Sequence, residues 1–77
     1  MDKQSKIILK KLYESYLEDP DMAVSSENLI ENIDFKTLTI RIHELESAGY
    51  LIKEVQTFDG SEIKITYKGI RLVKSWE

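Results

Sequence analysis

Asp34-Phe35-Lys36-Thr37-Leu38-Thr39-Ile40-Arg41-Ile42-His43-Glu44-Leu45-Glu46-Ser47-Ala48-Gly49-Tyr50-Leu51 is the stretch on which the fold turns. Leu38, Ile42 and Leu45 recur at i, i+4 and i+7, the spacing of one buried face on a 3.6-residue helix. Asp34 is suited to cap the free amides of the first turn, and Gly49 stands where a left-handed residue ends a helix. A helix from about Phe35 to Ala48 is therefore predicted, with Phe35 close to the apolar stripe. Its other face carries Lys36, Thr37, Thr39, Ile40, His43, Glu44 and Ser47.

Toward the N-terminus, Ser25 and Ser26 are candidate caps for a short helix from about Ser26 to Asn32 that buries Leu29, Ile30 and Ile33. The link from that helix to the next is only three or four residues. Earlier still, Ile8, Leu9, Leu12, Tyr13 and Tyr16 share one side of a helix from about Lys3 to Leu17. Pro20, which has no amide donor and disfavours helical geometry in the residue before it, stops this helix. Ile7 falls off the stripe, so it is either a lone exposed residue or a contact with another chain.

Beyond Gly49 the apolar spacing changes from helical to alternating. Leu51, Val55, Ile63 and Ile65 form the apolar set of a hairpin broken at Asp59-Gly60. A two-residue Asp59-Gly60 loop pairs Val55 with Lys64 and divides the apolar residues between both faces. A three-residue loop of Phe58, Asp59 and Gly60, with Gly60 at positive φ, pairs Val55 with Ile63 and is preferred. Thr66 then caps a closing helix, Tyr67 to Trp76, whose Ile70, Val73 and Trp76 follow helical spacing; Tyr67 and Trp76 are expected to complete the core.

The 77 residues fit one domain spanning 1–77. Apolar residues at 42% and charged residues at 32% describe a globular chain and not a disordered one. Without cysteine there is neither a disulfide nor a thiolate metal site, and a reducing, cytoplasmic setting is expected. No apolar run approaches the roughly 20 residues that cross a bilayer, and the first residues lead into an amphipathic pattern instead of a secretory segment. The net charge of −3 is unevenly spread. Glu14, Glu18, Asp19, Asp21, Glu27, Glu31 and Asp34 stand without a cation among them, while residues 1–13 carry four lysines against one aspartate.

In their order, these elements resemble the winged helix-turn-helix of the MarR and PadR families, an α+β domain of a three-helix bundle, a β-hairpin wing and a C-terminal helix. Leu29-Ile30-Glu31-Asn32-Ile33 looks like the second helix of that motif. Lys36-Thr37-Leu38-Thr39, followed by Leu45-Glu46-Ser47-Ala48-Gly49-Tyr50-Leu51, resembles the recognition helix and the step into the wing. Ile65-Thr66-Tyr67-Lys68-Gly69 resembles the Leu-Thr-x-x-Gly segment after the wing. Small winged-helix proteins of Gram-positive bacteria and their phages look similar in size. Three departures stand out: Phe58-Asp59-Gly60-Ser61-Glu62 has no wing arginine, Ile40 stands where an arginine is common, and 77 residues leave no room for long dimerisation helices.

The resemblance implies a small transcriptional regulator with Lys36, Thr37, Thr39, Ile40, Arg41 and His43 at double-stranded DNA. Thr37 and Thr39 would bond a base or phosphate, Lys36 a guanine or phosphate, and Ile40 a thymine methyl. The rival is a solvated helix face. Arg41 either holds a phosphate or pairs with Glu44 or Asp34. Lys53 and Lys64, with Lys68, either form a basic strip that adds sequence-independent contacts to DNA phosphates or are scattered solubilising lysines. His43 has no second imidazole for a metal site, and no nucleophile or phosphate-cradling loop supports catalysis. No cofactor is expected. The alternative function is a protein-interaction module, in which Ile40, Phe58 and the acidic surface meet another protein; a homodimer contact through Trp76 and Ile7 is a further possibility.

Overall fold

Asp2 begins the first helix by accepting hydrogen bonds at Oδ2 from the amides of Gln4 (2.9 Å) and Ser5 (3.3 Å). The computed structural model, which describes residues 1–57 and 60–77 without the side chains of Asn28 and Thr57, carries this helix, α1, over Lys3–Glu18. It ends at Asp19, just before Pro20, as the missing proline donor dictates. Ile8, Leu9 and Leu12 are buried; Tyr13 and Tyr16 are half-buried, and so is Ile7.

A two-residue strand, β1 (Val24–Ser25), comes next and was not expected. The predicted helix over Ser26–Asn32 is only a 3-10 turn at Ser26–Asn28. Two constraints account for this. Extended pairing of Val24 and Ser25 holds the chain up to the turn, and Asn32 adopts φ 62°, a left-handed geometry that no continuing α-helix admits. Leu29 is buried all the same, and Ile30 and Ile33 pack partly buried against the core. Ser25 makes no side-chain cap, and Ser26 uses its hydroxyl on the sheet instead.

The decisive helix, α2, spans Phe35–Ser47, capped by Asp34. Leu38, Ile42 and Leu45 are buried as expected, and Gly49, at φ 86°, terminates the element. Phe35 departs from expectation: it is 60% exposed, at the rim of the space between α2 and the hairpin instead of within the stripe.

The hairpin is present as β2 (Leu51–Thr57) and β3 (Gly60–Ile65), joined by β1 into a three-stranded antiparallel sheet of order β1-β3-β2. Its register differs from the expected one. Leu51 pairs with Ile65 and Lys53 with Ile63, but Val55 pairs with Glu62 and Thr57 with Gly60, leaving Glu54 without a ladder partner. An extra residue in one strand turns the following side chains to the opposite face. Val55 is therefore 46% exposed instead of joining Leu51 and Ile63 in the core, and Gln56, itself exposed, stands opposite Ser61 at the groove beside α2. Gly60 has φ 156° but sits in the ladder; Phe58 and Asp59, the rest of the expected loop, lie outside the described residues.

The closing helix, α3, covers Tyr67–Lys74 and starts at Thr66, whose Oγ1 accepts from the Gly69 amide (3.1 Å) and donates to the Gly49 carbonyl (2.6 Å). Ile70 and Val73 are buried and Trp76 packs on the core. Tyr67 does not: at 73% exposure it lies outside, beneath the Arg71 guanidinium at 5.3 Å. No helix among the described residues is long and apolar enough to cross a membrane.

Candidate nucleic-acid interface

The N-terminal turn of α2 is held by a two-bond cap in which Asp34 accepts both times. Asp34 Oδ2 accepts from the Thr37 amide (3.1 Å), and Oδ1 accepts from the Thr37 hydroxyl (2.6 Å). These two bonds, with the charge of Lys36 behind them, hold the Asp34 carboxyl below its ordinary pKa. Thr37 is thus a half-buried structural partner at the rim of the face. Thr39 is exposed, and its hydroxyl donates to the Phe35 carbonyl one turn back (2.8 Å).

With Leu38, Ile42 and Leu45 turned inward, Lys36, Thr39, Ile40 and His43 share one exposed face of α2. Among the described residues, no ion pair involves Lys36. Arg41 is turned toward α1. Its Nη1 lies 2.9 Å from Glu44 Oε1, its Nε lies 3.3 Å from Asp2 Oδ2, and Nε donates to Gln4 Oε1 at 3.2 Å. The hydrogen bond to Glu44 and the field of Asp2 push the guanidinium pKa up. Asp34 is not its partner.

The two hairpin lysines are separated. Lys53 faces α2 from β2 and reaches Glu46 (3.5 Å), whereas Lys64, paired in register with Ile52, faces the opposite side of the sheet and reaches Glu54 (3.5 Å). Lys64 borders a different concavity, with Leu12, Tyr16 and Met22. Lys68 closes the far end of α2, donating to the Ala48 carbonyl (2.7 Å) and lying 4.9 Å over the Tyr50 ring. Lys53, Lys64 and Lys68 thus form no continuous strip.

Between α2 and the hairpin runs a groove of about 260 Å³, bordered by Phe35, Thr39, Lys53, Gln56 and Ser61. Phe35 and Gln56 were not anticipated there. The position of Phe35 directly after the cap is a signal that was available. Gln56 enters through the bulge, which no periodicity announces. Among the described residues no group of three or more His, Asp or Glu side chains is placed to hold a metal ion.

The fold is found in a solved structure. A variant of MepR from a multidrug-resistant S. aureus clinical isolate superposes on 99% of the chain with a TM-score of 0.80, at 18% identity. MepR is a MarR-family winged-helix regulator. The fold is a winged helix. The likeness covers 55% of the MepR chain, so the winged helix described here spans about half the length of that protein. At that identity the likeness carries the fold and not the activity. No protein-family model matches the sequence, and no curated protein matches it. In winged-helix terms, α2 is the recognition-helix position, β2 and β3 are the wing, and the groove lies between them.

Proposed function

We propose that this winged helix is a non-catalytic DNA-binding module of a transcriptional regulator, which sets α2 in the major groove and the wing along the backbone. The observation that carries the reading is the exposed face of α2. Lys36, Thr39, Ile40 and His43 project together, fixed from behind by Leu38, Ile42 and Leu45 and at the start by the Asp34 cap. A helix so held presents its first turns to base edges, while Lys36 supplies a cation for phosphate or a base. Thr37, Arg41 and Lys53 frame this face, and Lys64 joins it only through a backbone that curves around the wing.

Titration with duplex DNA at low salt tests the proposal. Amide resonances of α2 are expected to shift, with affinity falling as salt rises. If α2 is unperturbed while the domain remains folded, the proposal is wrong.

A second reading is favoured by one specific observation. Arg41, Lys53 and Lys64 are engaged by carboxylates of the same chain, and an acidic segment adjoins the helix-turn-helix. A domain so neutralised also suits a protein partner. A complex that survives high salt and nuclease, and depends on Ile40, would mark that alternative.

A further inference from the structure

Guanine is most often read by an arginine fork on O6 and N7. The recognition-helix position of this domain has one arginine, Arg41, and its guanidinium is held by Asp2, Gln4 and Glu44 on the α1 side. Beside Lys36 and His43, α2 exposes two large apolar side chains. Ile40 is 46% exposed and Phe35 60%. Thr39 has its hydroxyl proton committed to the Phe35 carbonyl, so what it offers outward is its γ-methyl and an acceptor oxygen. Phe35 and Thr39 border the groove together, but Lys36 and His43 lie between them and Ile40 around the helix, so the three do not form the one contiguous apolar patch expected of a protein-docking surface. Lys36 lies one turn before Ile40, so an ammonium on phosphate leaves the isoleucine at base depth.

Thymine is the base that presents a methyl group in the major groove. We infer that α2 discriminates bases through thymine 5-methyl groups, with Ile40 as the principal specificity-determining residue and Phe35 and Thr39 beside it. The inference rests on the DNA-binding reading above and adds the chemistry by which the site chooses its sequence.

The test uses duplexes enriched from a randomised library by the wild-type domain at low salt, resynthesised with uracil in place of each thymine in turn. That exchange removes the methyl and keeps the pairing edge. Wild type is expected to bind about fourfold more weakly per contacted methyl lost, the value of one buried methylene-sized group. Ile40→Ala, an exposed position whose fold is checked by thermal melting, is expected to bind the thymine duplex more weakly and to become indifferent to uracil at one position or more. Equal wild-type affinity for thymine and uracil duplexes at every position overturns the inference and leaves DNA binding standing. So does full discrimination retained by Ile40→Ala. Absence of any enrichment or duplex binding overturns the DNA reading itself, and this inference with it.

Discussion

The hydroxyl of Ser26 accepts a hydrogen bond from the backbone amide of Ser61 at 3.0 Å, and both residues are buried. Val24 and Ser25 pair with Ile63 and Glu62, so this bond continues the β1–β3 ladder with a side chain where the backbone has already turned into the 3-10 helix. Ser26→Ala removes the acceptor and strands a buried amide, at about 1–3 kcal/mol. Urea unfolding is expected to show that loss for Ser26→Ala and a smaller one for Ser61→Ala, which keeps its amide. Equal losses would mean that the bond is not what matters at this junction.

Gly69 stands in the first turn of α3, and a Cβ there would collide with the Tyr50 carbonyl and come within 2.7 Å of Ile65 Cγ1. The Tyr50 carbonyl already accepts from the Thr66 amide at 3.0 Å, so it cannot withdraw without breaking that bond. Gly69→Ala is expected to destabilise by roughly 1–3 kcal/mol, as overpacking does, although alanine is the better helix former. An unchanged or raised melting temperature would contradict this. The same contacts give the Thr-x-x-Gly segment a physical reason: Thr66 caps α3 and the missing side chain at Gly69 lets α3 seat against Tyr50 and Ile65, where the hairpin begins and ends.

Asp34 links the cap to pH. Its carboxyl pKa is lower in the folded state, from the Thr37 hydroxyl first and the Thr37 amide second. A depressed carboxylate pKa stabilises the fold above the unfolded value of 3.8 and loses that contribution as pH falls through the folded value. The side-chain carboxyl resonance of Asp34 is expected to titrate below 3.8. Thr37→Val, which deletes the hydroxyl and keeps the amide, should move the midpoint up toward it. A midpoint indifferent to that substitution would exclude the hydroxyl as the cause.

Lys36 and Arg41 lie on one helix but differ in engagement. Lys36→Ala is expected to weaken duplex binding for all sequences and to flatten the salt dependence by about one unit of slope. Arg41→Ala is expected to leave that slope in place, because its guanidinium is directed to Asp2 and Glu44. Fluorescence anisotropy across a salt series separates the two, and a reversed order would identify Arg41 as the phosphate contact.

The sequence announced the recognition-helix position well. Asp34, the Leu38, Ile42 and Leu45 stripe, and Gly49 are local signals, and each acts within its own turn of helix. The closing helix was equally legible from Thr66, Ile70 and Val73. Several of the missed features depend on pairing that no local pattern carries. β1 exists because Val24 and Ser25 meet Ile63 and Glu62, and the Ser26 hydroxyl is drawn to Ser61 instead of to a helix cap. The bulge at Glu54 breaks an alternation that, read by itself, placed Val55 inside. At the candidate interface, exposure on α2 followed from periodicity, whereas the engagement of Arg41 with Asp2 came from the packing of α1 against α2.

The unpaired position at Glu54 also bears on how the molecule behaves in crowded solution. β2 is the outer strand of the sheet, and a straight outer strand is a template on which other chains can add by backbone pairing. An irregularity halfway along it, between Lys53 and Val55 and carrying the Glu54 carboxylate, spoils the repeat that such a growing stack requires. The residue that misdirects a reading of the hairpin thus acts as a guard against aggregation.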